Sequence, residues 1–208
     1  MRKIFLIVLA SFPLFTIAQI GLKGGLNFAN VTSASSINSS SRSGFMFGIF
    51  LEPSSAKIIS SKTELIYSRQ GYDFKNGTTS GNVNLDYLIL PQGMCINITK
   101  FVQLQLGAQI AFLLNAKADT TTSSGSSNPY SGIMNYYNKF DYGFSVGAEI
   151  HPFMGLLIGA RYNISLGKLY KDAQSGQMPS FSSIDAKNNV VQIFAGWKFG
   201  GYSSKKKK

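Results

Sequence analysis

The chain has 208 residues, with 20 Lys and Arg against 9 Asp and Glu, one His and one Cys. The single Cys95 excludes an intramolecular disulfide framework and a Cys-clustered zinc site, and one His excludes a His-rich metal centre, so no cofactor is expected. Charged residues are only 14% of the chain, against about 25% in an average soluble domain.

The first segment reads as a targeting leader. Arg2 and Lys3 precede an apolar stretch from Ile4 to Leu9 that breaks at Pro13, and Thr16 and Ala18 supply the small residues of a cleavage site. Cleavage is expected after Ala18. No Cys follows to take a lipid. The expected organisation is a leader at 1–18, one domain at 19–200 and a basic tail at 201–208. That tail holds Lys205 to Lys208. Without these lysines the body is too ordinary in charge to suggest nucleic acid. No later apolar run reaches the roughly 20 residues of a spanning helix.

The rest of the chain alternates with period two. Ile20 to Asn30 puts Ile20, Leu22, Leu26 and Phe28 on one face and Lys23, Gly25 and Asn27 on the other. Gly44 to Glu52 separates Phe45, Phe47, Ile49 and Leu51 from Met46, Gly48, Phe50 and Glu52. Ile58 to Gln70 opposes Thr63, Leu65 and Tyr67 to Lys62, Glu64 and Ser68. Val83 to Asn97 is apolar on both faces, so its sides cannot be assigned, and Pro91 within it fits a bulge or an edge. Val102 to Phe112 alternates Leu104, Leu106, Ala108 and Ile110 with Gln103, Gln105, Gly107 and Gln109. From Lys139, Tyr142, Phe144, Val146 and Ile150 oppose Asp141, Gly143, Ser145, Gly147 and Glu149. Leu156 to Leu166 opposes Ile158, Tyr162 and Ile164 to Gly159, Arg161 and Asn163. Asn188 to Phe199 opposes Val191, Ile193, Trp197 and Phe199 to Gln192, Gly196 and Lys198.

The connections alternate too. Pro53 to Lys57, Asn97 to Lys100 and Pro152 to Gly155 are short. Val31 to Ser43, Gly71 to Asn82, Asn115 to Asn138 and Gly167 to Lys187 are long and rich in Ser, Thr, Asn and Gly. An even number of strands with short turns on one rim and long loops on the other describes an all-β, eight-stranded, antiparallel up-and-down transmembrane barrel.

A soluble lipocalin-like barrel also alternates, with its apolar face inward. Glycine decides between them: Gly21, Gly25, Gly48, Gly107, Gly143, Gly147, Gly159 and Gly196 share the polar face, and only Gly24 falls clearly on the apolar one. An eight-stranded interior is just wide enough for side chains, so small residues belong inside. Leu104, Leu106, Phe144, Val146 and Ile193 are therefore expected to face lipid. Lys23, Glu52, Lys62, Glu64, Asp141, Glu149, Arg161 and Lys198 are expected to line the lumen as a charge network, paired because unpaired charges there are costly. A five-residue turn from Pro152 to Leu156 would set Arg161 opposite Gly147 and diagonal to Glu149. Such a lumen serves either as an electrostatic plug or as a gated path.

Several stretches resemble the PorT-like outer-membrane β-barrel domain family. Gly21-Leu22-Lys23-Gly24-Gly25-Leu26-Asn27 and Gly44-Phe45-Met46-Phe47-Gly48 resemble its first hairpin, and Glu64 to Gly71 its third strand. Phe140 to Phe144 and Ala160 to Asn163 resemble its sixth and seventh. The fourth strand departs from the family pattern: Ile89 and Leu90 stand before Pro91 where an acidic residue is usual. The resemblance implies an integral outer-membrane protein of a Gram-negative cell. A namesake member works in a secretion system that exports cargo to the surface.

The expected role is non-enzymatic, a structural or accessory envelope component with a part in protein secretion or surface assembly; a small pore is the alternative. Expected partners are outer-membrane lipid and an envelope or secretion-complex protein. Tyr130, Tyr136, Tyr137 and Phe181 are apolar groups in polar loops and are candidates for gripping such a partner. No Gly-x-Ser-x-Gly elbow occurs, and His151 precedes Pro152 at a turn with no Ser tied to it.

Overall fold

The computed structural model describes residues 18–32, 38–53, 58–76, 79–122, 133–153, 155–171 and 186–199. The basic tail, Tyr130, Phe181 and all but the last residue of the expected leader lie outside the described residues. Eight strands follow one another: β1 Ala18–Thr32, β2 Asn38–Pro53, β3 Ile59–Asn76, β4 Thr79–Asn97, β5 Val102–Thr122, β6 Phe140–Ile150, β7 Leu156–Ser165 and β8 Lys187–Phe199. Each pairs antiparallel with the next, and β8 returns to β1 with Leu22 opposite Trp197, closing the ring. Closure leaves no ladder groups for bare hydrocarbon to satisfy.

The period-two pattern sets what faces where. Leu104, Leu106, Phe144, Val146 and Ile193 are exposed on the outer wall at 41, 54, 53, 49 and 51%. Ile20, Leu22, Leu26, Phe45, Phe47 and Trp197 join them in one apolar belt. That excludes a lipocalin-like carrier, which would enclose these side chains. Between β6 and β7, Gly155 has φ +88°, a conformation that a side chain disfavours, so glycine lets the short turn close. The turn aligns Gly147 with Arg161.

β4 resolves its two apolar faces. Leu88, Leu90, Met94 and Ile96 point outward, while Val83, Leu85, Tyr87, Ile89 and Cys95 point inward. Proline carries no N–H to donate. Pro91 keeps its alignment with Gln109 of β5, while the β3–β4 register skips from Thr63↔Gln92 to Ile66↔Ile89.

The long-loop rim departs from expectation. Most of Gly71 to Asn82 and the start of Asn115 to Asn138 are strand, not loop. β3 and β4 run on until Asn76 aligns with Thr79, and β4 and β5 until Thr79 aligns with Thr122. A spanning strand needs only about 9–11 residues, yet β4 has 19 and β5 has 21. β2 to β5 therefore stand above the belt as a tall sheet, while β6, β7 and β8 stop near its edge. Register shifts mark the transition, between Ser41 and Met46 of β2 and between Asp86 and Tyr87 of β4.

In the tall sheet the hydrophobic phase inverts. Tyr72, Phe74, Val83, Leu85, Ala116 and Ala118 face inward and are buried. Lys75, Lys117 and Asp119 are exposed outside. Just above the belt the outer face carries two ion pairs, Arg69 Nε to Asp86 Oδ1 at 2.8 Å and Arg42 Nη1 to Asp73 Oδ1 at 2.6 Å.

Candidate functional site: a filled lumen under a capped mouth

The lower lumen holds two tiers of charge. At the short-turn end Glu52 of β2 is fully buried, and Lys62 of β3 bridges it to Glu149 of β6. Lys62 Nζ lies 2.6 Å from Glu149 Oε2 and 3.3 Å from Glu52 Oε2. Lys198 Nζ reaches Glu52 at 2.9 Å, and Gln103 Nε2 donates to its other oxygen at 2.7 Å. His151 lies below, its Nε2 3.6 Å from Glu149, and burial holds its pKa below the ordinary imidazole value.

The second tier centres on Glu64 of β3. Arg161 of β7 crosses the lumen to it as a two-pronged pair, at 2.6 and 3.0 Å, and Lys23 Nζ sits 2.5 Å away. Gln105 accepts from Arg161 at 2.9 Å and donates to Gln103 at 3.0 Å, joining the two tiers. The Arg161 guanidinium thus goes to Glu64, and Glu149, diagonal to it in register, goes to Lys62.

Glycine makes this crossing possible. A Cβ on Gly159 would meet both Glu149 Cγ and Phe194 Cζ at 2.7 Å, and one on Gly147 would meet the Arg161 backbone Cα at 3.1 Å. The Phe50 ring lies against Gly21. Phe50 and Phe194 roof the ions, with Lys62 Nζ 5.0 Å and Lys23 Nζ 4.3 Å from their ring centroids.

Asp141 stands apart from these tiers. Near the long-loop rim it accepts from Ser165 Oγ at 2.7 and 2.8 Å and from the Gly167 N–H at 3.2 Å. It secures the end of β7 and, among the described residues, pairs with no cation. The level above the ions is neutral: Asn27 Nδ2 donates to Ser68 Oγ at 2.9 Å, and Gln192 Nε2 donates to Asn27 Oδ1 at 3.0 Å.

Three tyrosines cap the mouth, a feature that reading the loops as solvated partner grips missed. Tyr137 is a correction: it is fully buried, its ring 4.8 Å from that of Tyr170. Its hydroxyl lies 3.1 Å from that of Tyr72, which also bonds Tyr170. Tyr136 is half-buried against the same cluster, with Phe74, Val83, Leu85 and Leu169 around it. The inner wall of the tall sheet is apolar and needs a cover, which draws these rings inward. Asn138 ties the two covering segments, donating to the carbonyls of Lys168 at 2.8 Å and Tyr170 at 2.9 Å. Burial pushes the Tyr170 hydroxyl from 10 up to about 12 and Tyr137 well above its usual range.

Beside Lys62, Glu64, Cys95, Gln105 and Arg161 a water-sized sphere finds about 10 Å³ for its centre, the least that holds one water. Among the described residues no cluster of His, Cys, Asp and Glu is placed to hold a metal.

A closed ring of eight antiparallel strands with an apolar wall and a polar filling is the architecture of an outer-membrane barrel. The family model described as outer membrane protein beta-barrel domain matches residues 16–171. The chain belongs to this family. Its localisation is the outer membrane. No protein of curated function matches its sequence. Among solved structures, the attachment invasion locus protein Ail of Yersinia pestis is 17% identical with a TM-score of 0.53, covering 88% of this chain and 100% of Ail. Neisserial surface protein A is also 17% identical, with a TM-score of 0.51, over 88% of this chain and 99% of its own. At this identity the likeness is one of fold.

Proposed function

We propose that this protein is a non-enzymatic, non-conducting barrel whose work is done by the sheet standing above the belt, on the outer surface of the cell. It is an accessory of the envelope at which exported or surface-assembled proteins dock. One observation carries the reading. The lumen is filled by two ion-paired tiers and roofed by tyrosines, so nothing passes through, while four strands are built well beyond what spanning needs. Short turns face the periplasm and long loops the exterior in such barrels, which puts the tall sheet outside. The PorT-like stretches support a part in secretion, and the four-stranded platform suits cargo or a partner leaving the cell.

Planar-bilayer recordings should show no conductance steps. Deleting the gene should change the secreted and surface proteome. Conductance steps would support the pore reading instead, and an unchanged proteome would remove the secretion role.

A further inference from the structure

The two ion tiers do not balance. Among the described residues Lys23, Lys62, Arg161 and Lys198 bring four positive charges to them, and Glu52, Glu64 and Glu149 bring three negative ones. Asp141, the fourth carboxylate expected in the lumen, sits at the rim on Ser165 and Gly167. His151 can only add to the positive side. Every carboxylate is already engaged: Glu64 by Arg161 and Lys23, Glu52 by Lys62 and Lys198, and Glu149 by Lys62. A surplus charge at this depth is costly unless the opposite charge meets it. The inner wall offers a place for one. Gly93 of β4 stands opposite Gly107 of β5, so two neighbouring strands lack side chains at one level. Both glycines line a small cavity together with Lys62, Gln105, Ser145 and Arg161. Outside its own chain neighbours, a Cβ on Gly93 would meet nothing closer than the carbonyl oxygens of Leu106 and Lys62, at 3.8 and 3.9 Å, so packing does not demand glycine there. Arg161 is buried and its terminal nitrogens go to Glu64 and Gln105, but its Nε–H has no partner among the described residues. A buried donor left unpaired costs free energy.

We infer that this glycine cradle binds one monatomic anion, chloride, which supplies the negative charge the tiers lack. The Lys62 ammonium, the Arg161 guanidinium and the Ser145 hydroxyl on its walls are donors. Glu64 borders the same cavity, but Arg161 and Lys23 already occupy both of its oxygens. Lys62 and Arg161 against Glu64 leave the lining one charge positive. The cavity is of about the size that holds one water, which admits a single halide ion and excludes sulfate and phosphate. The site belongs to the lumen wall and not to the outer platform, so either reading can fail while the other stands.

The test uses the full mature chain in detergent micelles. Urea unfolding is followed as sodium chloride replaces sodium gluconate, whose anion is too large for the cradle, at constant ionic strength so that screening does not change. Once the site saturates, each tenfold rise in chloride should raise the folded-to-unfolded ratio about tenfold. Gly93→Ala puts a methyl into the cradle and should remove this dependence. Gly93→Asp offers a fixed carboxylate in place of the ion and should also unfold independently of chloride. Crystals grown with bromide should show an anomalous peak between Gly93 and Arg161. Equal stability of the unaltered protein in chloride and gluconate would mean that a lysine sheds the surplus charge by losing its proton, and would overturn the site. A chloride dependence that survives both Gly93 variants, or bromide-grown crystals with no peak at the cradle, would overturn it as well.

Discussion

Below its register shift β5 turns Leu104, Leu106 and Ile110 outward and Gln103 and Gln105 inward; above it, Lys117 and Asp119 face out and Ala116 and Ala118 face in. The same strand serves both regions. What changes is the surrounding solvent. In hydrocarbon the outer face must be apolar, and a narrow lumen is filled by ions that satisfy one another. In water the rule reverses: the outer face carries Arg42–Asp73 and Arg69–Asp86, and the inner face builds an ordinary apolar core. The barrel is thus two proteins stacked on one ladder, and each should fail in its own way.

The largest effect should come from the ions. Glu64 is buried between Arg161 and Lys23. Glu64→Ala leaves two uncompensated cations and should cost about 3–5 kcal/mol, read by urea unfolding in detergent micelles with the heat-dependent gel shift as the folding marker. An equally large loss from Arg42→Ala, whose pair with Asp73 is at the surface, would erase the distinction, since such exposed pairs contribute about 0–1 kcal/mol.

A charge on the outer wall should separate the regions almost as sharply. Val146→Arg in the belt should cost about 2–4 kcal/mol in a bilayer. Lys117→Arg on the tall sheet should cost nothing measurable by the same assay. Overpacking comes next. Gly159→Ala brings a methyl against Glu149 and Phe194 and should lose about 1–3 kcal/mol.

The cap has the smallest effect and a pH signature. Tyr137→Phe should cost about 1 kcal/mol. The folded Tyr170 hydroxyl titrates near 12 against 10 when exposed. Its contribution to stability is therefore complete below pH 10 and is lost as pH rises from 10 toward 12. Tyrosinate absorbance should show it resisting ionisation across that window. Titration of all ten tyrosines together near 10 would mean the cap is open.

This division also explains what could be read in the residues. β6, β7 and β8 lie almost wholly in one solvent, so their alternation has one sign and their ends and register are plain, down to Gly147 opposite Arg161. β4 crosses the boundary, and its inward Val83, Leu85, Tyr87 and Ile89 run into its outward Leu88, Leu90 and Met94, so both faces look apolar. The extension of β3 and β4 left a signal that loop composition hid. Tyr72 and Phe74 alternate with Asp73 and Lys75, Val83 and Leu85 with Asn82 and Asn84, and Gly77-Thr78 stands between the paired Asn76 and Thr79. Glycine first in a two-residue connection is a hairpin signature. The pairing of charges was not legible, because register fixes neighbouring strands, whereas Arg161 to Glu64 and Lys62 to Glu149 reach across the lumen.

The inversion itself is tested most directly by nitroxide labels at single introduced cysteines on outward positions along β5, at Leu104, Leu106, Ile110, Lys117 and Asp119, in bilayers; the native Cys95 is buried. Collision with oxygen should dominate at the first three and collision with a water-soluble nickel chelate at the last two, with the crossover between Ile110 and Lys117. Nickel access at Leu106, or oxygen-dominated collisions continuing through Asp119, would contradict the account.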